Sequence, residues 1–115
     1  MRKDIAGCPP WRSVAGCFID TTELSSLWQG DAFETVSKLE GTFDMVFIDV
    51  WANTYLDLFK QTERLLRAGS IVLADNMYTA EDAVRPYKRY LDDDPRFSTT
   101  TLDFESGLEF TVVVS

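Results

Sequence analysis

Two short apolar runs, each closed by an acid, constrain this chain more than any other feature. Met45-Val46-Phe47-Ile48 ends on Asp49, and Ile71-Val72-Leu73-Ala74 ends on Asp75-Asn76. Uninterrupted apolar runs of this length mark strands buried on both faces of a parallel sheet, where the usual in-out alternation is lost. The stretch between them predicts a helix over about Thr54 to Arg67. Its inner face is Tyr55, Leu58, Phe59, Thr62, Leu65 and Leu66, and Arg64 and Arg67 suit the negative end of its dipole. Gly69 suits its stop.

The flanking segments extend the alternation of strand and helix. Ser26-Leu27-Trp28-Gln29 reads as a short strand stopped by Gly30. Asp31 is placed to cap a helix carrying Phe33, Val36 and Leu39, ended by Gly41. Downstream, Thr79 with Asp82 resembles a capping pair for a third helix lined by Ala83, Val84, Tyr87 and Leu91. Pro86 fits if that helix starts near Asp82, because the first turn needs no donor. Phe97 to Phe104, the turn Ser106-Gly107 and the β-branched run Leu108 to Val114 predict an antiparallel hairpin. The string is β-α-β-α-β-α-β-β, an open α/β sheet of parallel strands with a C-terminal antiparallel hairpin. Residues 1–24 read as an irregular N-terminal arm with one candidate strand, Val14–Ile19, and residues 25–115 as the α/β domain.

The bulk properties narrow function by exclusion. The 115 residues suit one domain, and 45% hydrophobic content is enough for one core. A net charge of −8 repels phosphate backbones, so nucleic acid is not expected as a partner. The chain has no histidine, which removes every Ser-His, Cys-His and His-metal arrangement within it. Cys8 and Cys17 lack metal spacing and read as reduced thiols, so a cytoplasmic protein is expected. No apolar stretch reaches the roughly 20 residues that span a bilayer, so no membrane segment is expected. The run Asp92-Asp93-Asp94 reads as a solvated helix end.

Ligands of open α/β sheets bind outside the carboxyl ends of the strands. A right-handed crossover places consecutive strands close together. Asp49 and the pair Asp75-Asn76 therefore converge on one crevice. Three short oxygen side chains suit a hard cation such as Mg²⁺, leaving about three octahedral positions for substrate and water. Asp or Asn after a strand also caps loops, so the case rests on both occurring at consecutive strand ends.

The residues around this cluster carry a family resemblance. Phe43-Asp44-Met45-Val46-Phe47-Ile48-Asp49, Tyr55, and Leu65-Leu66-Arg67-Ala68-Gly69-Ser70-Ile71-Val72-Leu73-Ala74-Asp75-Asn76 resemble the metal-dependent, S-adenosylmethionine-dependent O-methyltransferases of the catechol and caffeoyl-CoA type. Gly30-Asp31-Ala32, Asp94-Pro95-Arg96-Phe97 and Ser106-Gly107-Leu108 resemble further segments, so the likeness covers about residues 27 to 115. It implies a partial Rossmann-like class I methyltransferase sheet. It also implies transfer of a methyl group from S-adenosylmethionine to a small catechol-like or phenolic hydroxyl. Asp49, Asp75 and Asn76 would bind Mg²⁺ or another divalent cation, with Asp49 as the catalytic carboxylate. Gly30, Asp31, Ala32, Phe33, Asp49 and Trp51 would lie against the cofactor, and Trp51, Met77 and Tyr78 against the substrate.

The chain departs from that pattern in two places. It has no glycine-rich turn upstream of Gly30, the feature that grips the methionine part of the cofactor, and Ile19-Asp20 only imitates the acid that binds the ribose. Ala52 stands where catechol-type members have a basic lysine. The departures leave a second reading open, a non-catalytic binding or dimerisation module on the same fold. A flavodoxin-like signalling domain ranks last, because Leu108–Val114 brings no lysine to a strand end. The resemblance implies that the Met45–Asp49 strand pairs on one side with the family's first strand, which this chain lacks; the exposed edge is expected to be covered by Val14–Ile19 or by a second subunit of a homo-oligomer.

Overall fold

The computed structural model describes residues 26–115. The chain divides into two compact units, Met1–Asp31 and Ala32–Ser115. In the first, residues 26–30 are exposed, and Trp28 Nε1 donates to Ser26 Oγ at 3.2 Å. They form no strand, against the expectation for Ser26–Gln29. Four residues without a pairing partner have no ladder to satisfy their backbone groups. The candidate strand Val14–Ile19 lies outside the described residues, as do Cys8 and Cys17.

The second unit runs α1 (Ala32–Lys38), β1 (Met45–Ile48), α2 (Tyr55–Thr62), β2 (Ile71–Ala74), α3 (Glu81–Asp93), β3 (Phe97–Leu102) and β4 (Leu108–Val113). Short 3₁₀ turns, Ala52–Thr54 and Glu63–Leu65, extend α2 at both ends, so the helix predicted over Thr54 to Arg67 is tightened at its termini. The strand order is β1-β2-β4-β3. β1 and β2 are parallel, and β4 runs antiparallel to both β2 and β3.

Registers place Ile48, Val72, Ala74, Thr111 and Val113 on one face, where α2 and α3 bury them. The core there is aromatic. Phe59 stacks edge-on against Tyr87 at 5.4 Å and Phe97 at 5.3 Å, and Tyr55 meets Tyr87 at 5.7 Å. The other face carries Met45, Phe47, Ile71, Leu73, Phe110 and Val112, none of which joins the core cluster. Met45 and Phe47 are 56% and 55% exposed, so β1 is not buried on both faces as its sequence predicts. No described strand pairs with the far edge of β1.

One inward position is a carboxylate. Glu109 on β4 is fully buried, accepts from the hydroxyls of Thr99 and Thr101, and pairs with Lys88 Nζ of α3 at 3.1 Å. Its charge is tolerable because every close partner is a donor or a cation. Two arginines serve other ends than expected. Arg64 donates to the carbonyls of Leu39 (2.8 Å) and Val36 (2.6 Å), closing the C-terminus of α1, while Arg67 pairs with Asp44.

α3 starts at Glu81, with Ala80 as an N-cap that makes no side-chain bond. Thr79 does not cap it, because its hydroxyl donates to Asn76 Oδ1 at 3.3 Å. Pro86 consequently lies in the second turn, on the exposed side of the helix. No helix among the described residues is long and apolar enough to cross a membrane.

Phe59 is the hub of this core, 0% exposed and in contact with rings from α3 and β3. Phe59→Ala is expected to cost about 3–5 kcal/mol of stability. A urea-unfolding midpoint close to wild type would contradict that role.

Candidate functional site

The in-register pairing Ile48↔Ala74 brings both strands to an end at the same level. Asp75 N still donates to Ile48 O at 3.4 Å, so Asp49 and Asp75 leave the sheet side by side, on strands roughly 4.8 Å apart. Asp49 is exposed, while Asp75 and Asn76 are half-buried.

Asn76 takes a left-handed backbone conformation at φ 69°, the only non-glycine among the described residues with positive φ. That turn brings its side chain back over β1, where Nδ2 donates to Asp49 Oδ1 at 3.3 Å. Its Oδ1 accepts from Thr79. Asp75 Oδ1 accepts from Asn76 N at 2.7 Å and from Ser106 Oγ at 2.6 Å.

Below the cluster, the Tyr55 hydroxyl donates to Asp75 O at 2.9 Å. Burial pushes the Tyr55 phenol above its usual pKa; the Asn76 side chain partly offsets this, and the charges of Asp49 and Asp75 add to it. Tyr55 therefore remains a neutral donor and a fixed floor to the site.

The three sequence-predicted ligands thus meet in one place. Among the described residues no three His, Cys, Asp or Glu side chains cluster as a metal site, and the set here is two carboxylates and one amide. Its donor chemistry fits a hard cation, provided the Asn76 amide turns its oxygen toward Asp49 in place of its nitrogen. At present the amide donates to Asp49 and bridges the two strand ends.

The remaining predicted residues are spread around this cluster and beyond it. Gly30 has φ 125° and belongs, with Asp31, to the first unit. Ala32 opens α1 and lines a groove of about 310 Å³ with Val36, Met45, Phe47, Asp49 and Leu58. Phe33 packs against the core, and its carbonyl accepts from Gln61 Nε2 at 2.7 Å. Trp51 is 83% exposed, two residues beyond Asp49. Met77 is 5% exposed and packs inside the core, whereas Tyr78 is 46% exposed.

Sequence reasoning missed Ser106 and Tyr55 as parts of the site. Ser106-Gly107 reads only as a turn, and nothing local shows that the turn returns to Asp75. Tyr55 reads as helix core, which it is, and its hydroxyl reaches the site only because α2 crosses under the strand ends.

No family model and no curated protein matches the chain. Solved structures do. A Podospora anserina methyltransferase bound to S-adenosylhomocysteine matches at TM-score 0.71 and 23% identity, covering 78% of this chain and 49% of that one. A Bacillus cereus O-methyltransferase in complex with S-adenosylhomocysteine matches at 0.68 and 20% identity, covering 76% and 50%. A Streptomyces achromogenes O-methyltransferase of tomaymycin synthesis, in complex with S-adenosylmethionine, matches at 0.61 and 22% identity, covering 73% and 46%. The chain spans about half the length of these structures. The likeness establishes the fold: a mixed sheet of the class I methyltransferase kind, as the resemblance implies.

The geometry of Asn76 makes a specific demand on backbone stability. Asn76→Ala and Asn76→Gly both delete the amide, but only alanine must hold a left-handed conformation against its Cβ. The alanine variant is expected to be less stable than the glycine variant by about 1 kcal/mol. Equal unfolding midpoints would show that the turn relaxes.

Proposed function

We propose that this chain carries the acceptor-binding part of an S-adenosylmethionine-dependent O-methyltransferase, acting with a divalent cation on a small catechol-like or phenolic hydroxyl. The observation supporting this reading is the meeting of Asp49, Asp75 and Asn76 at the carboxyl ends of two adjacent parallel strands. The fold around them is shared with solved methyltransferases that hold S-adenosylmethionine or its demethylated product.

In this reading Asp49, Asp75 and the Asn76 amide oxygen would hold the cation. A cation held there would supply Lewis-acid polarisation of an acceptor hydroxyl. Methyl transfer would form one oxygen–carbon bond and break one sulfur–carbon bond of the donor, with the hydroxyl proton leaving to solvent. Ala52 offers no base to take that proton, so ionisation of the acceptor rests on the strand-end cluster. Tyr55 holds the Asp75 backbone in place. The groove from Ala32 to Asp49 is apolar and reaches the cluster, which suits the flat adenine of the donor. Trp51, exposed beside Asp49, supplies an aromatic surface for the acceptor ring.

A second reading is a module that binds a cation but transfers nothing. The sequence favours it in one respect: Ala52 stands where the resemblance implies a basic lysine.

The deciding experiment is methyl transfer from labelled S-adenosylmethionine to a catechol panel with Mg²⁺. Transfer is expected to stop on chelation, and to fall about 10²-fold or more in Asp49→Ala and in Asp75→Ala. Retained Mg²⁺ binding with no S-adenosylmethionine binding by calorimetry selects the second reading.

A further inference from the structure

We propose that the turn between β3 and β4 is the positioning device of this site, with Ser106 orienting Asp75 as a cation ligand and Gly107 locking the loop that carries Met77 and Tyr78. The inference rests on the cation reading of Asp49, Asp75 and Asn76, and assigns the reading a residue outside the three ligands.

Three bonds tie the turn to the strand-end loop, across more than 25 residues of chain. Ser106 Oγ donates to Asp75 Oδ1 at 2.6 Å. Tyr78 N donates to Ser106 O at 2.7 Å, and Met77 N to Gly107 O at 3.0 Å. The antiparallel β2–β4 pairing ends at Ala74↔Glu109, so these bonds continue the attachment past the sheet and around the site.

The Ser106 bond has a consequence for the carboxylate. Together with Asn76 N at 2.7 Å, it places two donors on Asp75 Oδ1. A hydroxyl donating to a carboxylate is a short, charge-assisted bond with a defined direction. Oδ1 is thereby occupied and the carboxylate plane is fixed. Asp75 Oδ2 receives no hydrogen bond from the described residues, and it is the oxygen left for a cation.

Gly107 enforces the closeness of the two segments. It is buried at φ 85°, and a Cβ there would lie 2.8 Å from both Tyr78 N and Tyr78 Cγ. Only glycine permits both this backbone and this approach. Met77, held by Gly107 O, is anchored in the core on its other side. The loop carrying two of the three ligands is therefore clamped between the core and the hairpin turn.

Outer-shell partners of metal ligands typically contribute 10–100-fold in affinity. The test is calorimetric titration of Mn²⁺ into the full chain. Ser106→Ala is expected to weaken binding by about 10–100-fold while leaving the far-ultraviolet circular dichroism unchanged. Ser106→Thr, which keeps the hydroxyl, is expected to restore most of the affinity. A purely structural serine would move the unfolding midpoint and not the Mn²⁺ affinity. Wild-type binding with an unchanged constant in Ser106→Ala overturns the positioning role and leaves the cation site standing. No Mn²⁺ binding by the wild type overturns the cation reading, and this inference with it.

Discussion

The parallel pairing of β1 with β2, in the register Ile48↔Ala74, governs the layout of everything at this end of the sheet. Hydrogen-bonded parallel strands that end at the same level must release their next residues together. Those residues are Asp49 and Asp75, and two carboxylates leaving neighbouring strands repel unless donors or a cation lie between them. The chain answers with donors. Asn76 bends back through a left-handed turn so that its side chain bridges to Asp49, its backbone nitrogen and Ser106 satisfy Asp75, and Tyr55 holds the Asp75 backbone from beneath. Slipping the register by one residue would send each side chain to the opposite face and disperse the cluster.

The packing beneath keeps that register. α2 and α3 bury only one face of the sheet, through Phe59, Tyr55, Tyr87 and Leu91. The crossover from β1 to β2 runs through α2, so the aromatic core and the strand pairing are stabilised by the same residues. Glu109 adds a polar tie between β4 and α3, because its carboxylate is held by threonines of β3 and by Lys88. On the opposite face, Met45 and Phe47 remain open, and β1 has a free edge among the described residues. This arrangement belongs to a chain spanning about half the length of the solved structures that share its fold.

Much of this was legible in the sequence, where period and punctuation carry it. The apolar runs before Asp49 and Asp75 locate both strands, and the spacing of Tyr55, Leu58, Phe59 and Thr62 locates the buried side of α2. The hairpin is announced by alternation around Ser106-Gly107. What was not legible depends on distant partners. Thr79 looks like a helix cap, but its hydroxyl is taken by Asn76. Arg64 looks like a dipole partner for its own helix, but it closes α1. Glu109 alternates with the apolar Leu108 and Phe110, a pattern that marks an outward position, yet it is buried, where Thr99, Thr101 and Lys88 face it. Ser106 belongs to the site because two segments meet in space, and no local pattern records that.

If the two strand ends form one cation-responsive centre, as proposed, nuclear magnetic resonance reads it directly. On addition of substoichiometric Mn²⁺, paramagnetic broadening is expected to begin at the amides of Asp49, Asp75 and Asn76. Broadening centred on Asp92-Asp93-Asp94, or spread evenly over the acidic surface, would contradict it.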